Sequence, residues 1–132
     1  MAALTGTAPA AILLLCIARL AKHRFTTPVD IHGSARTEGT ERAKLLQALL
    51  QNTLEQAVLA MPVYLAASLL FPARFLPLVA AAAAIFVVGR IQFFRGYASG
   101  APSRAAGFGL TFYPNVALLI SVVAVAVLQG DA

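Results

Sequence analysis

Four apolar stretches, at about residues 4–21, 41–70, 75–97 and 106–128, take up most of this 132-residue chain. Inside a bilayer every backbone N–H and C=O must find its partner within the protein, which leaves only helices and closed barrels as spanning structures. Each stretch approaches or exceeds the roughly 20 residues a helix needs to cross the hydrocarbon. At 60% apolar and 11% charged residues, with a mean hydropathy of +0.82, the chain has too little polar surface to cover a soluble domain. The expected fold is all-α: an integral membrane four-helix bundle, with residues 1–132 forming one transmembrane domain without internal repeats.

A net charge of +5 and a pI near 10.2 would invite a nucleic-acid reading in a soluble protein. Here the cations sit in connections and at helix ends, where they orient a protein in a membrane, and no nucleic-acid partner is expected. Four helices place both termini on one face, and nine of the ten Lys and Arg residues, all but Arg74, fall on or near the other. The expected topology therefore has the first and third connections in the cytosol and both termini outside, in a bacterial inner (cell) membrane.

The first apolar run ends in Arg19, Lys22, His23 and Arg24, the reverse of a signal peptide's charge order, so it reads as a retained helix that tilts or extends past Arg19. Cys16 lies within it without a companion cysteine and reads as a small apolar filler. His23 and His32 have no second ligand at metal spacing; they are expected to be solvated loop residues, and no metal site is expected. Lys22 to Thr40 reads as a loop, with Thr40 as N-cap of a second helix whose acidic first turn suits the helix dipole. Pro62 is a candidate kink, Ala80 to Ala84 a flat packing surface, and Gly100 to Arg104 a turn.

The second helix carries Gln47, Gln51, Asn52, Glu55 and Gln56 in its first half before turning apolar. Burying such groups in hydrocarbon costs several kcal/mol unless partners meet them. Donors lie in Arg90, Arg95 and Tyr97 on the third helix, and Arg90 and Glu55 are expected at similar depth. Two readings follow: a buried Glu55–Arg90 ion pair that fixes register, or a polar cleft for a charged ligand. The surplus of Gln51, Gln56, Arg95, Tyr97 and Arg104, none with an evident internal partner, favours the cleft.

Asn52-Thr53-Leu54-Glu55, followed by Arg90 through Gly96-Tyr97 and then by Arg104, resembles the membrane-associated proteins in eicosanoid and glutathione metabolism, the MAPEG family. That family includes microsomal glutathione transferases and leukotriene C4 synthase. The resemblance implies a homotrimer binding glutathione as co-substrate between neighbouring subunits near the cytosolic side. By position, Asn52, Glu55, Arg90 and Tyr97 match glutathione contacts, with Glu55 suited to the α-amine and Gln51 expected to bind glutathione as a substitute donor beside them, and Arg104 matches the catalytic arginine that holds the thiol as thiolate. The implied activity is a glutathione transferase, with peroxidase activity as a variant, acting on a lipophilic electrophile that arrives from the membrane lipid, as in detoxification.

This chain has Ala48, Gln56 and Phe93 where the eicosanoid branch carries an arginine and two tyrosines, with Arg42, Lys44 and Gln51 as nearby polar substitutes. One alternative is a non-catalytic lipid- or thiol-binding member of the same family. A more distant alternative is a small proton-coupled multidrug exporter using Glu55 as its one intramembrane carboxylate.

Overall fold

The computed structural model describes residues 2–31, 39–97 and 99–130; His32, Gly33, Arg36 and Asp131, which enter the sequence reading, lie outside them. After a helical turn at Ala2–Thr5 come four helices: α1 (Thr7–Thr26), α2 (Glu41–Leu70), α3 (Leu76–Gly96) and α4 (Ala101–Gly130). Side-chain pairs give their directions. Arg24 meets Gln47 and Cys16 meets Thr53, so α1 and α2 run antiparallel. Tyr64 reaches Ala82 and Asn52 meets Arg90, which sets α2 against α3, while Arg90 with Thr111 does the same for α3 and α4. The connections from α2 to α3 and from α3 to α4, five and four residues long, leave room only for antiparallel neighbours.

Arg19, Lys22, Arg24, Arg42, Lys44, Arg95 and Arg104 gather towards one end of the bundle, and Arg74 lies at the other. Three helical segments, Glu41–Leu70, Ala73–Gly96 and Ala101–Gly130, are long and apolar enough to cross a membrane. The first helix has 20 residues and does extend past Arg19, but the cations of its last two turns leave it outside that set.

The core lies in the half of the bundle away from those cations. Ala57, Ala60, Val63, Tyr64 and Ala67 of α2 pack on Val79, Ala82, Ala83 and Phe86 of α3 and on Leu118 and Val122 of α4. These positions recur every three or four residues, the spacing of one helix face. Five of these eleven residues are alanine, because lipid offers no hydrophobic penalty for separation and close backbone approach and dispersion must hold the helices. Of the run Ala80 to Ala84 only Ala82 and Ala83 turn inward, since a helix cannot present five consecutive residues to one neighbour.

α3 and α4 come closest where Gly89 and Gly107 face each other. A Cβ on Gly107 would lie 2.6 Å from Phe93 Cα and 2.9 Å from Gly89 O, so only glycine permits this approach. Phe93, against which Gly107 packs, and Phe108, the residue after Gly107, both line the cleft described below.

Two expectations at helix ends change. α4 starts at Ala101 rather than near residue 106, because Pro102 occupies the first turn, where its missing N–H has no partner to lose. Arg104 therefore stands on the first turn of a helix and not in a loop. α1 continues through His23 to Thr26, and His23 is not a solvated loop residue. Its Nε2–H donates to Asp30 Oδ2 (2.9 Å), with Thr40 Oγ1 3.2 Å from the same nitrogen. Thr40 donates from its backbone N–H to Asp30 Oδ1 (2.9 Å) and from its hydroxyl to Oδ2 (2.6 Å), and its hydroxyl oxygen also caps α2 by accepting from Ala43 N–H (3.2 Å). The Thr40 hydroxyl and N–H, and then His23, hold the Asp30 carboxyl below its ordinary pKa. This junction ties the end of α1 to the start of α2. α2 then runs unbroken through Pro62.

Candidate functional site

Near the cationic end, α2, α3 and α4 diverge around a cleft of about 530 Å³. Ala48, Gln51, Asn52 and Glu55 supply one wall, and Phe93, Tyr97, Ala101, Arg104, Ala105 and Phe108 supply the rest. On α2, positions 48, 51, 52 and 55 recur at three and four residues and so share one face. On α4 the same holds for 101, 104, 105 and 108.

The polar groups are arranged with opposite signs on opposite walls. Gln51 Nε2 donates to Glu55 Oε1 at 3.1 Å, fixing the carboxylate along the α2 wall. Across the cleft the Arg104 guanidinium lies over the Tyr97 ring, 4.8 Å from its centroid, an attraction between cation and ring face that restrains both side chains. No ion pair of Glu55 or of Arg104 occurs among the described residues. A ligand carrying both an ammonium and an anionic group would find a complement to each.

Arg90 stands behind this wall. It is fully buried and does not line the cleft. Its Nη1 donates to Asn52 Oδ1 at 2.6 Å and its Nη2 to Thr111 Oγ1 at 2.7 Å, while the guanidinium lies 4.5 Å from the Phe93 ring centroid. A guanidinium only donates, so the carbonyl oxygen of Asn52 must face it. The Asn52 NH₂ group is thereby left free to donate elsewhere. Of the two readings, the Glu55–Arg90 ion pair does not occur among the described residues, because Asn52 is one turn nearer the depth that Arg90 reaches.

The structure thus brings Gln51, Asn52, Glu55, Tyr97 and Arg104 to one cleft and sets Arg90 one layer deeper. Gln56 turns inward and is buried, its Oε1 without a hydrogen-bond partner, and takes no part in the cleft. Arg95 is exposed, on another face of α3. Arg42 and Lys44 do not reach the cleft, leaving Gln51 as the polar group beside Ala48. Sequence reasoning missed Thr111, whose hydroxyl accepts from Arg90 and donates towards Phe108 O at 2.8 Å. A hydroxyl within an otherwise apolar span, one turn past the cleft, was its only signal. Thr53, within the Asn52–Glu55 motif but assigned no role by it, is buried with its hydroxyl 3.7 Å from the Cys16 thiol.

The MAPEG family model matches residues 2–124, nearly the whole chain. No curated protein and no solved structure matches the chain significantly.

Proposed function

Because this chain belongs to the MAPEG family, we propose that it is a membrane-bound glutathione transferase that joins the glutathione thiolate to a lipophilic electrophile. The observation that carries the reading is the Arg104–Tyr97 pair, 4.8 Å apart, facing the Asn52–Glu55 wall across one cleft. Glutathione has an ammonium, two carboxylates, amide groups and a thiol. Glu55 receives the ammonium, and the free NH₂ of Asn52 donates to a carbonyl or carboxylate oxygen. Gln51 orients Glu55, and Tyr97 holds Arg104 in place.

Arg104 faces the thiol. A free thiol has a pKa of about 8.5, so only a few per cent is thiolate at neutral pH. A guanidinium beside the sulfur stabilises the anion, and the proton leaves to water. The sulfur lone pair then attacks the electrophile, forming the S–C bond as the leaving group departs with its electron pair. Where a lipid hydroperoxide is the electrophile, the thiolate attacks the terminal peroxide oxygen, an S–O bond forms as the O–O bond breaks, and the lipid alkoxide leaves and takes a proton to become the alcohol; a second glutathione thiol then converts the sulfenic acid to glutathione disulfide, releasing water. Phe93, Ala101, Ala105 and Phe108 give the cleft an apolar flank suited to such substrates.

Within this proposal the protein is a homotrimer with glutathione at the subunit boundary. The cationic end lies in the cytosol, which follows the positive-inside rule. Ala48 and Phe93 on the cleft wall, without donors, favour one second reading: a family member that binds a thiol or lipid without turnover. Steady-state conjugation of glutathione to a nitroaryl halide separates the two. Activity that falls at least a hundredfold in Arg104→Ala, the order seen when one charge-stabilising group is removed, supports the transferase. Binding of glutathione with no conjugation of any electrophile supports the binding protein, and undiminished turnover in the variant removes Arg104 from its role.

A further inference from the structure

A second polar cavity, of about 310 Å³, lies between α1 and α2 at the cationic end and is lined by Arg19, Lys22, His23, Thr26, Arg42 and Leu46. Positions 19, 22, 23 and 26 form one face of α1, and 42 and 46 one face of α2, so the cavity is a product of helix packing and not of loop placement. The charges around it do not balance. Asp30 is buried and engaged by His23 and Thr40, and Glu41 pairs with Lys44 at 3.0 Å. The side chains of Arg19, Lys22 and Arg42 have no acidic or hydrogen-bonding partner among the described residues.

Three unpaired cations around one cavity repel one another at the edge of a low-dielectric bundle, and an anion seated among them removes that cost. Two guanidinium forks and an ammonium are the donor set suited to a tetrahedral oxyanion with several acceptor oxygens. A single carboxylate would satisfy only one fork. We propose that the α1–α2 cavity binds a phosphate group, carried by an anionic lipid or free. The lipid source has a structural correlate: Leu15 stands exposed one helical turn before Arg19, and its neighbours Leu14 and Ile17 are exposed too, an apolar surface on which acyl chains can lie. The site is separate from the cleft, shares no lining residue with it, and stands whether or not the cleft binds glutathione.

The experiment uses full-length protein, delipidated in a neutral maltoside detergent. Phosphatidylglycerol, phosphatidylcholine and inorganic phosphate are titrated in turn, and bound molecules are counted by native mass spectrometry alongside thermal unfolding. The expected result is retention of phosphatidylglycerol over phosphatidylcholine, weakened about fivefold by each of Arg19→Gln, Lys22→Gln and Arg42→Gln, the usual effect of one interfacial cation. These side chains are exposed, so the variants keep the fold, and their unchanged unfolding in phosphatidylcholine confirms it. Arg95→Gln, a cation at the same end but outside the cavity, leaves retention unchanged. Inorganic phosphate that competes with the lipid supports the phosphate group itself as the ligand, and a lipid that binds without such competition supports the headgroup source. Equal retention of both lipids with no phosphate binding overturns the proposal, as does a loss in Arg95→Gln equal to that in Arg42→Gln.

Discussion

Arg90→Met tests whether the buried arginine works through Asn52 or on the ligand itself. The substitution keeps an unbranched stem and removes the two hydrogen bonds of 2.6 and 2.7 Å. Hydrogen bonds to a charged group are each worth about 1.5–3 kcal/mol. Removing a fully buried cation also removes its desolvation cost, and Thr111 keeps its bond to Phe108 O, so the fold should survive. What is lost is the orientation of Asn52. If one bond's worth of preorganisation disappears, glutathione affinity falls by about ten- to a hundredfold. Isothermal titration of wild type, Arg90→Met, Asn52→Ala and the double variant closes a cycle. An arginine acting through Asn52 makes the double variant no weaker than Asn52→Ala alone, with a coupling of about 1.5–3 kcal/mol. Additive losses would refute the reasoning and return Arg90 to direct contact with ligand.

Gly107→Ala forces a methyl group onto the Phe93 backbone and should cost about 1–3 kcal/mol in thermal unfolding, with reduced activity because Phe93 forms part of the cleft; Gly6→Ala, with nothing within 4 Å, should be neutral. Thr111→Val leaves Arg90 Nη2 buried without an acceptor and should destabilise by about 1–3 kcal/mol, whereas Thr111→Ser should not. The Asp30 carboxyl has a lowered folded pKa, so its contribution is complete above its unfolded value of about 4 and lost as pH falls through the folded value. Acid unfolding followed by circular dichroism should show that loss below about pH 4 in wild type and not in Asp30→Asn. Tyr97→Leu removes the ring beneath Arg104 and should raise KM and lower kcat, with the fold intact by thermal unfolding.

Much of this architecture can be read from local chemistry. Thr40 and Glu41 mark the start of α2 because a cap and an acidic first turn act within four residues, and the structure starts the helix there. The polar face of α2 was legible from spacing alone, since Gln51, Asn52 and Glu55 stand out against an apolar background. Where the reading fell short, the deciding physics lay in another helix. Arg90 and Tyr97 share a face of α3, seven residues and about 10 Å apart along its axis, but only the packing of α2 and α4 makes one a buried strut and the other a cleft wall. Gln56 follows Glu55 directly, and the turn of about 100° per residue carries it into the bundle. Pro102 reads as a loop residue and equally as a helix start, and the second reading places Arg104. His23 joined Asp30 and Thr40 through a pairing seventeen residues apart, which no helical periodicity encodes.

The most direct measurement of the central claim is the ultraviolet absorbance of thiolate when glutathione is added to the purified, detergent-solubilised protein at neutral pH, read beside Arg104→Ala. The account predicts a thiolate signal in the wild type that saturates with glutathione and disappears in the variant, while calorimetry still detects bound glutathione. A signal of equal size in both proteins, or glutathione bound by the wild type with its thiol protonated, would contradict it.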